Sequence, residues 1–538
     1  MRLLRIVVPA LVLLLAACSP DATPTPTLVI TTATPTPAVD ATSAPPPEGT
    51  LRVAVIGAAP HQDLHRMVSE WATLFGSGLG YNRLLRFVTG PGTLLPSLAL
   101  ECDLCSSWTW VDWTTLEFDL NPRAMWQDAE DFASRPVTSG DVVWSLRRLR
   151  ELGSPHERLL DSVDVIEQAG PSKVRFRLHY PDADLLLKLA SPYAVILAPD
   201  SLNAVNLQTG RVLGAGPWRY VRGATGQVSL QAWDAYFRAG EPAAKAVQFL
   251  PVSDLATGVT LLEIGVADMA QVTELQWASL DQGRFRSEVI DRQGRGVLFG
   301  VNAGRTALAD QVVRQAIFAA LDPHAAIAES LGIGWVGTGM PAIEPSWVLG
   351  DALIAGAFGA RASNPNVGPD EGPDVGPLTL TIGNFGEYHV AHGEAIAAQL
   401  TAAGFDVTTD VVSRGAYLDR VWERRDYDLF VGPMPPTDTP SAFLLALLHT
   451  QGASNVTGAG TAALDALIEA QAVELDDARR EDMIRNIQAG ALDGAWFFMA
   501  AGLSERWAFS ERVVSPPLAF PVGSGDWWKY VAVVELAP

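Results

Sequence analysis

The stretch Phe299–Asp322, FGVNAGRTALADQVVRQAIFAALD, reads as a buried strand feeding a capped amphipathic helix. Val297-Leu298-Phe299-Gly300-Val301 is a short apolar run, and Asn302, Ala303 and Gly304 break it as turn residues. Asp310 stands where an N-cap belongs, and Val312, Val313, Ala316, Ile317, Ala320 and Leu321 recur at helical spacing. The Asp322-Pro323 pair ends or redirects that helix, because proline pushes the residue before it out of the α region.

The surrounding chain repeats this alternation. Downstream, Leu378–Ile382, Asp406–Val412 and Tyr427–Val431 read as strands, separated by helices over Val390–Ala403 and Ala416–Arg424. Strand–helix alternation of this length predicts a parallel sheet. Leu464–Ala472 and Asp476–Gly490 continue as helices, and Ala495–Ala500 as a buried strand. Upstream, Leu51–Ile56 is a strand, and Leu116, Phe118 and Leu120 alternate on one face of Trp113–Leu120. Thr138 or Ser139 caps a helix with Asp141 in its first turn and Val142, Leu146 and Leu149 facing a core.

The chain of 538 residues is long enough for more than one core. Its 38 basic and 60 acidic residues give a net charge of −22, which argues against nucleic acid or an anionic lipid surface as main partners. Met1–Cys18 has a targeting pattern: Arg2 and Arg5, then an apolar Ile6–Ala17 too short for a span of ~20 residues. Leu15-Ala16-Ala17-Cys18 resembles a bacterial lipobox, in which the cysteine is lipidated and becomes the first residue; a plain secretory signal is the alternative. Ser19–Gly49, rich in Pro, Thr and Ala, reads as an extended tether. Cys102 and Cys105 form a lone Cys-x-x-Cys, read outside the cytoplasm as a small disulfide, with metal binding and redox activity as alternatives.

Catalytic signatures are missing from the sequence: no His-Glu-x-x-His, no Gly-x-Ser-x-Gly and no Cys/His metal set. His61 with His65, and His389 with His392, could share helix faces, but the better expectation is exposed histidines. The sequence therefore reads as a non-enzyme with no cofactor.

Several motifs together resemble the family 5 extracytoplasmic solute-binding proteins, the oligopeptide, dipeptide and nickel receptors of ABC importers. They are Asn302 followed by Asp310-x-x-Val-Arg-Gln-Ala-(x)3-Ala-Leu-Asp322, Pro136-(x)4-Asp141-Val142-x-x-Ser145-Leu146, Leu98-Ala99 after Pro96, and Gly214-Ala215-Gly216-Pro217-Trp218. The resemblance implies an α/β fold of the periplasmic-binding type: class II, two-lobed, in the larger three-domain variant with a hinged cleft. It divides the chain into leader 1–18, tether 19–49, domain I (50–76, 214–297 and 508–538), domain II (77–213) and domain III (298–507). It also implies a monomeric, lipid-anchored extracytoplasmic receptor that meets the membrane only through its anchor and passes a small solute, peptide by default, to permease subunits. Two rivals are a degenerate member acting as a sensor or assembly protein, and an extracytoplasmic enzyme.

Open α/β sheets bind ligands at the carboxyl ends of their strands. That selects Gly383–Tyr388, with Asn384 and Tyr388, and Gly432–Asp438, with Thr437 and Asp438. Peptide-binding relatives place an amine-binding aspartate in the second segment, and Asp438 is the acid found there, a turn former in the alternative. Trp335 and Trp108, in loop-like surroundings, complete the candidate ligand contacts.

Overall fold

The computed structural model describes residues 49–513 and Lys529, except 59–60, 90–92, 94–96, 201, 203–206, 208–211, 224–225, 243, 338–346, 348, 350, 359–374 and 436–438. The leader with Cys18, the tether, Thr437 and Asp438 lie outside the described residues.

Sixteen strands are present among the described residues: β1 Thr50–Ile56, β2 Leu85–Phe87, β3 Leu100–Cys102, β4 Cys105–Asp112, β5 Thr115–Leu120, β6 Val163–Gly170, β7 Lys173–Leu178, β8 Trp218–Arg222, β9 Val228–Ala232, β10 Ala246–Val252, β11 Met269–Val272, β12 Phe285–Val301, β13 Leu378–Asn384, β14 Val407–Ser413, β15 Leu429–Pro433 and β16 Phe497–Ser510. Ten of them form one mixed sheet in the order β14-β13-β15-β12-β16-β11-β1-β10-β9-β8. At one end β13 pairs in parallel with both β14 and β15, as the strand–helix alternation predicts. At the other end β1 runs parallel to β10 and β11. β4–β7 make a separate antiparallel sheet, and β2 pairs with β3.

Two long antiparallel strands, β12 and β16, run through both ends of the large sheet. The Phe285–Asp291 half of β12 pairs with Ser504–Ser510 beside β11, and the Gly296–Gly300 half pairs with Phe497–Gly502 beside β15. Their register slips between these halves. Arg292–Arg295 bulges out opposite the single residue Leu503, because Asp291 faces Ser504 while Gly296 faces Gly502. Gly502 is obligatory there: a Cβ would lie 2.1 Å from Cε2 of the Trp335 indole that packs across it.

Local chemistry explains most elements. Asp310 accepts from the Val312 amide and caps the helix Gln311–Ala319. The core-facing stripe of that helix differs from the periodicity reading: Val312 is exposed, whereas Ile317, Phe318 and the Arg314 guanidinium are buried. Arg314 donates to the carbonyls of Leu308, Ala309 and Gly494, so an arginine rather than a valine fills that position. Asp322 caps a new helix, Pro323–Ser330, with Pro323 in its first turn. Thr138 and Asp141 form a reciprocal capping box, and Val142, Leu146 and Leu149 are fully buried.

β5 buries Leu116, Phe118 and Leu120, as its alternation predicts. At the Leu213–Trp218 crossing a Cβ on Gly214 would stand 1.8 Å from the Gly80 carbonyl oxygen, so only glycine allows that approach. Cys102 and Cys105 are joined by a disulfide. The Asp103 between them is fully buried, accepts from the Asn82 side chain and the Arg83 amide, and lies 3.9 Å from Lys529.

The expectation of exposed histidines fails for His65, His389 and His392, which are buried. Packing on the cores around the sheet, rather than water, surrounds these imidazoles. Burial pushes their pKa values down to about 3, 4 and 4 respectively. The unfolded chain, with histidine near ~6.5, therefore binds more protons than the native state below that pH. Stability that is complete above pH ~6.5 is lost as the pH falls toward the folded values. Denaturant titrations at pH 7 and pH 5 should differ by on the order of 1–2 kcal/mol per histidine, and His392→Gln should shrink that difference. Equal midpoints in the wild type would contradict this account. Separately, Gly502→Ala should cost about 1–3 kcal/mol through overpacking against Trp335.

Candidate functional site

The carboxyl ends of four strands converge where the register of β12 and β16 slips. β11 ends at Val272 opposite Arg506, β15 ends at Pro433 opposite Val297, and the parallel partners β1 and β13 end alongside them. A cleft of about 440 Å³ opens there. One wall carries Glu70, Leu255, Gln271, Val272, Thr273 and Glu274; the facing wall carries Leu331, Ile333 and Tyr388. The strands themselves supply Arg292, Arg295 and Leu503–Arg506 as the floor.

Local structure fixes each charged group. The bulge in β12 turns Arg292 and Arg295 toward Glu70, which lies in the first turn of the helix Glu70–Leu74, capped by Ser69. Arg292 donates to Glu70 at 2.7 Å and to Glu505 at 2.6 Å. Arg295 donates through Nε to the same Glu70 carboxylate at 3.0 Å. Arg506 holds Glu274 with two bonds of 2.7 and 3.0 Å, a fork-to-fork pair. Burial alone would discourage the charge on Arg292, but Glu505 and Glu70 hold its pKa above the ordinary arginine value.

Tyr388 enters from the loop after β13. Gly386, at φ 141°, turns the chain into the helix Glu387–Ala402, and Tyr388 in its first turn is 38% exposed toward the cleft. Burial pushes its phenol pKa up against the opposing pull of Arg295 and Arg414. The ring packs tilted against His389, whose two nitrogens have no hydrogen-bond partner among the described residues. Arg414 lies across the Phe385 ring, 5.6 Å from its centroid, on the same side.

The cleft is thus a slot with an apolar lip (Leu255, Leu331, Ile333) and a floor where acids and bases alternate. Such a floor can exchange an internal ion pair for the ammonium or carboxylate of a small zwitterion. The Ser504 hydroxyl on the floor donates to the Asp291 carboxylate at 2.5 Å. Among the described residues there is no group of three or more His, Cys, Asp or Glu placed to hold a metal ion.

Of the residues selected from sequence, Tyr388 lines this cleft. Asn384 is exposed at the end of β13, four residues before it. Trp335 bridges to Gly502 on the floor strand and is half-buried, next to the lining residues Leu331 and Ile333. Trp108 is half-buried on β4 of the separate sheet and does not line the cleft. Thr437 and Asp438 follow β15 outside the described residues. Sequence reasoning missed the charged floor. Its signal was available: Asp291-Arg292 and Arg295 interrupt an apolar strand, and Ser504-Glu505-Arg506 interrupts another.

Residues 99–455 match the profile described as bacterial extracellular solute-binding proteins, family 5 Middle. Among curated proteins, the peptidoglycan-binding protein YepA of Agrobacterium fabrum is 30% identical over 154 residues, 28% of this chain and 23% of that protein. Di/tripeptide-binding protein 4 of Pseudomonas aeruginosa is 28% identical over 204 residues, 34% of this chain and 35% of that protein. The matched regions thus span 23% and 35% of the length of these two relatives.

Solved structures share the fold over nearly the whole chain. The ABC transporter substrate-binding protein CtaP of Listeria monocytogenes superposes with a TM-score of 0.73 at 18% identity, covering 91% of this chain and 99% of that one. AgaA of A. tumefaciens, solved with agropinic acid, gives 0.63 at 21% identity, covering 89% and 96%. The architecture is therefore the two-lobed periplasmic-binding type, and the chain belongs to the family 5 bacterial extracellular solute-binding proteins.

Proposed function

We propose that this chain is the lipid-anchored, extracytoplasmic receptor of an ABC importer, capturing a small peptide-like zwitterion in the cleft by closure of its two lobes. Family membership supports solute binding outside the cytoplasm, and no described helix is long and apolar enough to cross a membrane. The observation that carries the choice of solute is the floor itself. Glu70, Glu274 and Glu505 alternate with Arg292, Arg295 and Arg506 within a cleft of peptide size. An α-ammonium takes a carboxylate from an existing pair, and an α-carboxylate takes the guanidinium left behind.

The domain division implied by the sequence, with parts of domain I at 50–76, 214–297 and 508–538, domain II at 77–213 and domain III at 298–507, fits a hinge at the slipped register of β12 and β16. Asp438 and Thr437, which follow β15 in the sequence, are the proposed amine-side contacts, alongside Tyr388 of the cleft lining. Cys18 is the proposed lipidation site. A second reading, a family member serving as a sensor without transport, draws support from the mutual pairing of Arg292, Glu70, Glu505, Arg506 and Glu274. Such a floor needs no solute to satisfy its charges.

A thermal-shift screen of residues 50–538 against di- and tripeptides, amino acids, sugars and Ni²⁺ separates these readings. A solute at 100 times its Kd should stabilise the protein by ~2.7 kcal/mol. Glu70→Gln should weaken peptide binding roughly tenfold, about 1.4 kcal/mol, while leaving the protein folded. Silence across all classes in a folded protein would favour the sensor. In cells making the full chain, Cys18→Ser should move the protein from the membrane fraction to the soluble one; retention at the membrane would refute lipid anchoring.

A further inference from the structure

A second set of buried charges lies far from the floor of the cleft. Asp184 precedes the helix Leu185–Ala190, which packs on β2 and β3. A residue at that position ordinarily caps its own helix, yet the Asp184 side chain makes no cap bond. Its carboxylate instead turns to partners 257 and 296 residues away. It accepts from the Ser441 amide at 2.9 Å and from the Arg480 guanidinium.

Arg480 completes the contact from the other side. It lies on the helix Asp477–Gly494, which packs against the helix Ala462–Val473. Nη1 donates to the Ala183 carbonyl at 3.0 Å, Nη2 to the Ser441 hydroxyl at 3.2 Å and Nε to Gln471 at 3.3 Å. The Ala183 amide donates to the Ala472 carbonyl at 2.9 Å, so backbone joins the same seam. The Asp184 and Arg480 side chains are 0% and 4% exposed.

The arrangement has a specific physical character. Burying two charges costs desolvation that their attraction roughly offsets, so such a pair adds little net stability while tolerating no misalignment. Parted, each group is hydrated and the penalty vanishes. A contact of this kind has two good states, joined and dry or separated and wet, with little between them. It also bridges the parts of the chain that move apart if the cleft opens about β12 and β16.

We propose that Asp184 and Arg480 form an interlobe latch that sets the balance between closed and open forms, and through it the affinity for solute. The proposal rests on the lobe-closure reading above, but its test needs no solute. A population shift of this kind acts on affinity through the fraction of competent protein, without any contact to the ligand.

Fluorophores attached to cysteines introduced at the exposed positions Leu152 and Val312 report the interlobe distance in the full, ligand-free chain. Small-angle scattering on unlabelled protein gives the overall dimensions independently. Asp184→Asn and Arg480→Gln should each raise the open-to-closed ratio roughly tenfold, a shift to longer distances and a larger radius of gyration. Ser441→Ala, which keeps both charges, should give a smaller shift in the same direction and guards against misfolding of the charge variants. Unchanged distances and dimensions in folded variants would overturn the latch, leaving static packing within one rigid body. If the latch variants open but no peptide binds the wild type, the solute reading fails and the latch stands. If peptide binds and the variants stay compact, the latch alone fails.

Discussion

Everything in this molecule depends on one antiparallel ribbon, β12 with β16. Each end of the large sheet is completed by a different half of the same two strands, so neither half has a closed edge without them. Continuous pairing through the middle would make the sheet one stiff body. The slip, four residues of β12 against one of β16, relaxes that stiffness at a single place. The ladder hydrogen bonds are interrupted there, the bulge twists the strand, and four strand ends converge on the gap. The proposed hinge and the cleft therefore share a cause.

Charge at this place is managed by pairing. Every arginine on the floor meets a carboxylate, and Glu70 serves two of them. In a partly dry slot an unpaired charge would be expensive, and the floor's own ion pairs avoid that cost. In the proposed function the same pairs make recognition an exchange of partners, which rewards a ligand carrying both signs over one carrying a single sign.

Sequence reading recovered what local rules govern. Asp310, Thr138 with Asp141, and the alternation of Leu116, Phe118 and Leu120 all act within a few residues, and the structure uses them as read. The parallel pairing of β13 with its neighbours followed from alternation of elements. Failures came where distant segments decide. The phase of the Gln311–Ala319 helix was misjudged because Arg314 finds three carbonyls, one of them on Gly494. His389 and His392 looked like surface residues because polarity was read without knowing what packs over them. The cleft floor was legible only in retrospect: the charges that break two apolar strands become a site only once those strands are neighbours.

The ribbon also orders events in time. Its partners are separated by some two hundred residues of chain, and β11 and β1 reach the rest of the sheet only through β16. A chain emerging from its amino terminus cannot complete the first end of the sheet until residues near Ser510 have appeared. Closing so long a loop before its contacts form is entropically slow, and topologies of this kind fold late rather than piecewise.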